Sequence, residues 1–438
     1  MTRRNGGVVP GPFFDPEIET ASRERITRHQ IEHLQSVIGC VLEASPFYQE
    51  KLHRAGLRDA AEIATLQNLA RLPFTTKAEL VADHGAHPPF GTRLTEPIER
   101  YRRLHQTSGT TGKPLRIIDT EESWDWWLRC WGYIYRAAGV GPADRVFAAF
   151  SFGPFIGFWS GFEGLRHVGA LQIPGGGQTT EQRIQQIYDL GATVLLCTPT
   201  YALRMAETAR EMGVDLPASP IRLGIHAGEP GASIPATRAR LQAAWGMEVF
   251  DHPGMTEVGP WGFECLEHAG VHLIESEYIF EVVDPGTDEP ADDGELVITN
   301  LGRHANPVIR YRTGDRVRLM REPCGCGRTF GRLKGGVIGR IDDMLIVRGV
   351  NVFPAAIENV VRAFQEVNEY VVEVYREHEM DELEIRIECG DREGSELCRQ
   401  IANDLHLALG FRPRVTTAPA GTLPRFELKA RRVFDKRI

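Results

Sequence analysis

The sequence predicts an α/β protein: a large N-terminal domain of sheets covered by helices plus a β subdomain, followed by a small α+β domain. Three observations predict it. From about Arg145 onward, short apolar runs alternate with helix-like segments, the pattern of a sheet covered on both faces. Further strands then follow with no helices between them. Past Gly339 a separate mixed pattern begins, and it runs for fewer than about 100 residues, a small domain's length.

Taken in order, a Pro/Gly-rich lead precedes Ile31, Leu34, Ile38 and Val41, which recur at helical spacing and end near "SPFY". "RYRRLHQ" and "PLRIIDT" read as extended on either side of "TSGTTGK". "RVFAAFSF", "ALQIP", "TVLLCTP", "IRLGIHAG" and "MEVFDHPG" read as buried strands, with helices such as "TEQRIQQIYDL" and "PATRARLQAAW" between them. "EYIFEVVD", "ELVITN" and "VIRYR" supply the β subdomain. The last unit reads as strand "DMLIVRG", helix "PAAIENVVRAF", strands "YVVEVYRE" and "ELEIRIEC", helix "SELCRQIANDLHLAL" and strand "RVTTAP".

Composition excludes several function classes. The chain has 438 residues, 25% of them charged, and a net charge of -9. No basic field for nucleic acid or an anionic membrane is expected from that balance. No secretory signal, spanning helix or disulfide-scaffold pattern is visible among the eight cysteines, so a reduced, cytoplasmic protein is expected.

The stretch "QTSGTTGKP" carries the chemistry. Glycines let backbone N–H groups approach a ligand, hydroxyls donate to phosphate oxygens, and Lys113 adds positive charge. It is not a Walker loop: Thr107 stands where the first glycine belongs and Pro114 where the Mg²⁺-binding hydroxyl belongs. A solvated hairpin turn is the bland alternative.

Two other clusters stand out. In "FSFGPFIGFWSGFEG", Phe150, Phe152, Phe155, Phe158 and Trp159 crowd near glycines after a predicted strand. That suits a flat aromatic acid, and equally an ordinary strand-to-helix core junction. "PGGGQTTEQR" would line the same pocket with backbone. Cys324-Gly-Cys326, together with Cys265 and His272, matches a structural Cys₃His zinc site. Buried free thiols are the alternative, and His268 competes with His272 as the fourth ligand.

"TSGTTGKP" resembles the loop of the adenylate-forming superfamily of acyl- and aryl-CoA ligases, luciferases and adenylation domains. "AGEP", "GMTE", "YRTGD", "GRIDDMLIVRGVNVFP" and "LKARR" follow in that family's order. "SPFYQEKL", "GVNVFP" and the brief C-terminal domain resemble its phenylacetate-CoA ligase branch, some members of which hold zinc on a comparable Cys/His set. The resemblance implies domains of 1–341 and 342–438, the second mobile about a hinge at Asp342. It also implies activation of a carboxylic acid by ATP to an acyl-adenylate, then transfer to coenzyme A.

Residue by residue, the resemblance implies that Thr107, Ser108, Gly109, Thr110, Thr111, Gly112 and Lys113 hold the outer phosphates of ATP, and Glu257 holds Mg²⁺. Asp315 would accept the ribose hydroxyls. Arg340, Gly228, Glu229, Pro230, Asp251, His252 and Thr256 would bind the nucleotide. His226, Pro253 and Gly254 would join Phe150, Phe152 and Phe155 around the acid. Lys429 would be the mobile catalytic lysine, acting with Lys113 and Glu257. Many relatives carry an aromatic residue where this chain has Pro253, which loses a ring and an N–H. His252 beside it reads as a hydrogen-bonding wall in preference to a base.

The leading reading is therefore an aryl-acid:CoA ligase using ATP, Mg²⁺, CoA and a structural Zn²⁺, with no nucleic-acid or membrane partner, and with homodimer formation left open. The alternative is an adenylate-forming synthetase whose acceptor is an amine, another nitrogen nucleophile or a free-standing carrier protein. With no carrier domain after Ile438, transfer to a fused carrier is not expected. An inactive nucleotide-binding protein is disfavoured, because Lys113, Glu257, Asp315, Arg340 and Lys429 are all present.

Overall fold

Capping and apolar spacing set the first long helix, Arg23–Ala44. Ser22 caps it by accepting from the Arg25 N–H, and Leu34, Ile38 and Val41 face inward as their spacing predicts. Ile31 does not: it is half-exposed, and Gln30 takes the inner position. The reason is polar. The Gln30 Nε2 donates to the carbonyls of Glu275 and Tyr278, each at 3.0 Å, so a buried amide outcompetes an isoleucine there.

The computed structural model describes residues 3, 4, 7, 8, 11–107, 114–348, 350–378, 380–390, 394–426 and 430–437. The chain divides into two compact units, Met1–Gly177 with His252–Gly336, and Gln178–Asp251 with Val337–Ile438.

In the first unit, strands Tyr101–Gln106 and Arg116–Thr120 pair antiparallel, so the segment between them joins two strands and opens no helix. At its base the Thr107 N–H donates to the Leu115 carbonyl, and the Leu115 N–H returns to the Thr107 Oγ1, both at 3.0 Å. Helix Glu121–Ala137 follows, with Trp124, Trp126, Trp127, Trp131, Tyr133 and Tyr135 all buried. Arg145–Ala148 and Leu171–Pro174 form a parallel pair. The β subdomain is a six-stranded sheet, in the order Gly262–Glu264, Val271–Leu273, Arg332–Arg340, Tyr311–Met320, Asp293–Asn300 and Tyr278–Val283.

In the second unit, Val194–Cys197, Leu223–His226 and Glu248–Asp251 pair in parallel. Helices Thr180–Asp189, Pro199–Glu211 and Pro235–Trp245 connect or flank them, as the alternating pattern requires. The remainder forms a four-stranded sheet of Arg414–Ala418, Met380–Glu388, Glu369–Glu377 and Val433–Asp435. Helices Pro354–Val361 and Gly394–Leu409 bury Ile357, Val361, Ile401 and Leu405 against Val372, Val374, Leu383 and Ile385.

Candidate active site

The "GMTE" motif is a hairpin tip. Gly254–Met255 pairs antiparallel with Gly259–Pro260, which leaves Thr256, Glu257 and Val258 at the turn. Gly259 has φ +136, and a Cβ there would sit 2.0 Å from the Tyr278 hydroxyl, so the turn needs glycine. The tip's carbonyls are all engaged. The Arg303 Nη1 donates to those of Thr256 and Glu257 at 3.1 Å, and the Asn300 Nδ2 donates to that of Val258 at 3.1 Å. Arg303 is itself held by both oxygens of Asp119, at 2.7 and 2.6 Å, with neither side chain exposed to solvent (0%). Trp127 packs under its guanidinium at 4.9 Å. The buried Glu257 carboxylate lies 3.3 Å from the Lys77 Nζ.

Just before the hairpin, His252 is buried. Its Nδ1 is 2.8 Å from the Gly262 carbonyl, which can only accept, so Nδ1 carries the proton. Burial lowers its pKa to about 4, so the ring is neutral at pH 7. Its ring meets Trp131 at 4.4 Å, and the Trp131 Nε1 donates to the Ser160 Oγ at 2.9 Å. Phe150 is buried, while Phe152 packs edge-on against Trp159 at 4.9 Å and Phe162 at 5.2 Å. Phe155 stands at the start of helix Ile156–Gly164, and the Phe158 side chain lies outside the described set. The glycine loop after Pro174 lies against this cluster. A Cβ on Gly176 would be 2.6 Å from the Phe152 ring, and one on Gly175 would be 2.7 Å from the Ala148 carbonyl.

Asp315 sits at a bulge. Four steps along its strand, Arg312 to Arg316, oppose two on the neighbour, Val297 to Glu295, and Gly314 takes φ +73. Such an irregularity re-aims side chains, which is what the "TGD" string encodes. The Asp315 N–H donates to the Thr313 Oγ1 at 3.0 Å.

In the second unit, His226 and Asp251 are register partners on adjacent strands. His226 is buried, with Nδ1 3.2 Å from the Cys197 carbonyl, and burial lowers its pKa to about 4. Its Nε2 lies where a Cβ of Gly224 would be at 2.6 Å, so glycine two residues earlier on the same face makes room for the ring. Gly228 has φ +93 and leads into Glu229. The two Glu229 oxygens accept from the Thr200 N–H at 2.9 Å and the Ala430 N–H at 2.8 Å. Arg340 reaches Asp342 through two bonds of 2.8 and 2.9 Å at the surface. Ser108, Gly109, Thr110, Thr111, Gly112, Lys113 and Lys429 lie outside the described residues.

Cys265, His272, Cys324 and Cys326 come together in the first unit, their ligand atoms all within 4.8 Å of one another. The Cys265 and Cys324 sulfurs are 3.8 Å apart, and the Cys326 sulfur is 3.5 Å from the His272 Nε2. His268 is not in the group; it lies 3.9 Å from Glu264. The adjoining Arg328 is buried and paired with Glu19 at 2.5 Å, which ties the cysteine loop to the chain's start.

Sequence reasoning did not find Asp119, Arg303, Trp127 or Trp131. The available signal was the aromatic run "WDWWLRCWGYIY" at helical spacing, while nothing in the string links Asp119 to a partner 184 residues on.

Comparison with known proteins gives consistent findings. Residues 101–302 match the AMP-binding enzyme family, and residues 349–437 match the AMP-binding enzyme C-terminal domain. The chain is 35% identical to a phenylacetate-coenzyme A ligase of Thermus thermophilus, over 97% of this chain and 100% of that one. It is 34% identical to that of Escherichia coli, over 98% and 99%. A solved 2-hydroxyisobutyryl-CoA ligase, in the postadenylation state with an acyl-AMP, superposes with a TM-score of 0.92 at 27% identity, covering 99% of this chain and 95% of that one.

Proposed function

We propose, from the premise that this chain belongs to the AMP-binding enzyme family and to its phenylacetate-CoA ligase-like branch, that it activates an aromatic or small apolar carboxylic acid. The chain is an ATP-dependent acid–thiol ligase. The acid's carboxylate attacks the α-phosphorus of ATP, forming an acyl-adenylate and releasing pyrophosphate. The thiol of CoA then takes the acyl group and AMP leaves.

One observation supports the aromatic acid. The rings of Phe152, Trp159 and Phe162 pack beside a glycine loop with no room for side chains at Gly175 and Gly176. An apolar, ring-lined wall with close backbone favours a flat substrate. Neutral His252, held by the Gly262 carbonyl and Trp131, would serve as a wall residue; a group with a pKa of about 4 is a weak base at pH 7. Thr107 to Lys113 would hold the outer phosphates, Asp315 the ribose hydroxyls, and Lys429 the charge that develops at the α-phosphate. Gly228, Pro230, Asp251, Thr256 and Arg340 would contact the nucleotide, and His226, Pro253 and Gly254 the acid.

Mg²⁺ takes one or two carboxylates and fills its shell with water and phosphate oxygens. The buried Glu257 carboxylate at a tethered hairpin tip fits that requirement. Bound there, the ion would supply countercharge to the triphosphate. Among the described residues no helix is long and apolar enough to cross a membrane. The enzyme's use of ATP and CoA, both cytoplasmic cosubstrates, supports a place in the cytoplasm. In a screen of aromatic acids, at least one should release pyrophosphate in an ATP-dependent way and yield a CoA thioester by mass analysis. Silence across the screen, with no ATP binding, would end this reading.

The Cys/His cluster fits zinc. At tetrahedral angles, thiolates about 2.3 Å and an imidazole about 2.0–2.1 Å from the ion leave sulfurs about 3.8 Å apart, and sulfur and nitrogen about 3.5 Å apart. The Cys265–Cys324 and Cys326–His272 separations are 3.8 and 3.5 Å. Four protein ligands leave no place for a reacting water, so its role would be to fix two loops. Elemental analysis of untagged protein should find about one zinc per chain, as a closed four-ligand site implies. Chelation followed by restored Mg²⁺ should lower the melting temperature by on the order of 5 °C. Metal-free protein of unchanged melting temperature would rule the site out.

A further inference from the structure

We infer that Glu229 is a positioning residue: its carboxylate latches the segment following Lys429 onto the N-terminus of helix Pro199–Glu211. This rests on the reading of Lys429 as the lysine of the adenylation step.

The geometry begins with the helix. Thr198 caps it by accepting from the Tyr201 N–H at 3.2 Å, which leaves the Thr200 N–H to find another acceptor. One Glu229 oxygen takes it at 2.9 Å. A carboxylate at a helix N-terminus is stabilised by the dipole and the free N–H groups there. Gly231 lets the turn lie close: a Cβ on it would be 2.6 Å from Pro199. The other Glu229 oxygen accepts from the Ala430 N–H at 2.8 Å, one residue beyond Lys429. The partly buried Glu229 carboxylate thus spends both oxygens on main chain, one bond to the helix and one to the lysine-bearing segment. Burial raises the Glu229 pKa, and both N–H bonds and Arg432 oppose that rise.

The segment has a second hold. Arg432 pairs with Glu369 at 2.8 Å, and its Nη2 lies 3.5 Å from the Thr200 Oγ1. Beyond it, Val433–Asp435 joins the sheet beside Glu369–Glu377. Residues 430–435 are therefore fixed by their own sheet on one side and by Thr200 and Glu229 on the other. Releasing the Glu229 bond frees the end nearest Lys429.

Glutamine tests this. It has one acceptor oxygen and an NH₂ group, so one of the two terminal atoms that now each accept an N–H becomes a donor instead. Glu229→Gln should slow acid-dependent pyrophosphate release by roughly tenfold to hundredfold, the scale of a lost hydrogen bond to a charged group. Thioester formation from supplied acyl-adenylate should fall much less than adenylation, because both Glu229 oxygens are already taken by main-chain N–H groups. Limited trypsin should cleave after Lys429 or Arg431 faster than in the parent enzyme. Arg432→Ala, which leaves Glu369 paired with Arg362 at 2.9 Å, should show the same three results and carries the test if Glu229→Gln does not fold. Equal loss of both half-reactions with unchanged trypsin protection would make Glu229 a nucleotide contact and overturn the latch. So would unchanged adenylation and protection together. Lys429→Ala run alongside separates the two readings. If it leaves adenylation intact, the assignment of Lys429 fails, while the trypsin arm still decides whether Glu229 holds the segment.

Discussion

Lys429→Ala is expected to slow acyl-adenylate formation by about 10²–10³, the usual scale for a lost preorganised charge, and to leave thioester formation from supplied acyl-adenylate nearly intact. Adenylation moves negative charge onto the oxygen between the α-phosphate and pyrophosphate, so a cation aimed there acts only in the transition state. Lys113 would be engaged with the outer phosphates, and Lys429 would supply that cation. The relative 2-hydroxyisobutyryl-CoA ligase has been solved both after adenylation and in a thioesterification state. We propose that this chain passes between two such states about Asp342. The exposed Arg340–Asp342 pair is worth little in water and does not lock that turn. Asp342→Pro, by fixing φ, should show the mirror result: adenylation kept, transfer lost. Rapid-quench measurement of each half-reaction decides it. If Lys429→Ala damaged both steps equally, the two-state scheme would fail for this chain.

Much of this was legible in the string because local chemistry and order sufficed. The strands Val194–Cys197, Leu223–His226 and Glu248–Asp251 are short apolar runs ended by glycine or proline, and the parallel pairing follows from the helices between them. The Cys/His cluster was legible because a Cys-x-Cys turn is a local geometry, and the fold groups His272, not His268, with the three cysteines. Other features were not legible. Glu229 sits in a recognisable motif, yet its partner is a backbone N–H 201 residues away, and main-chain donors carry no sequence signal. Gln30 for Ile31 on the first helix has the same cause, because its acceptors are the distant carbonyls of Glu275 and Tyr278. Hydrophobic period fixes which stripe points inward to within one residue, and tertiary hydrogen bonds decide the last step.

Asp119→Ala should be among the most destabilising single changes in the first unit, because it strands a charge. Arg303 and Asp119 have no solvent exposure, and among the described residues the bidentate pair is that guanidinium's sole carboxylate contact. Removing one partner of a buried pair typically costs about 3–5 kcal/mol, against a total stability of about 5–15 kcal/mol for a domain. Loss of soluble protein or a large drop in melting temperature is the expected result. The effect on catalysis is separable. Replacing both partners by apolar residues of similar volume is often tolerated, so Asp119→Leu with Arg303→Met should melt well above Asp119→Ala. That double variant still lacks the Nη1 donor to the Thr256 and Glu257 carbonyls, so the hairpin tip carrying Glu257 loses its tether. Pyrophosphate release should therefore remain at least about tenfold slower than in the parent, as one lost hydrogen bond per carbonyl implies. Its dependence on Mg²⁺ concentration should also shift upward, because a loosened carboxylate holds the ion less well. A double variant that is stable and fully active would show that Arg303 supports the fold alone. One that is stable, slow and rescued by excess Mg²⁺ would place the Asp119–Arg303 pair beneath Glu257 as the support that aims it.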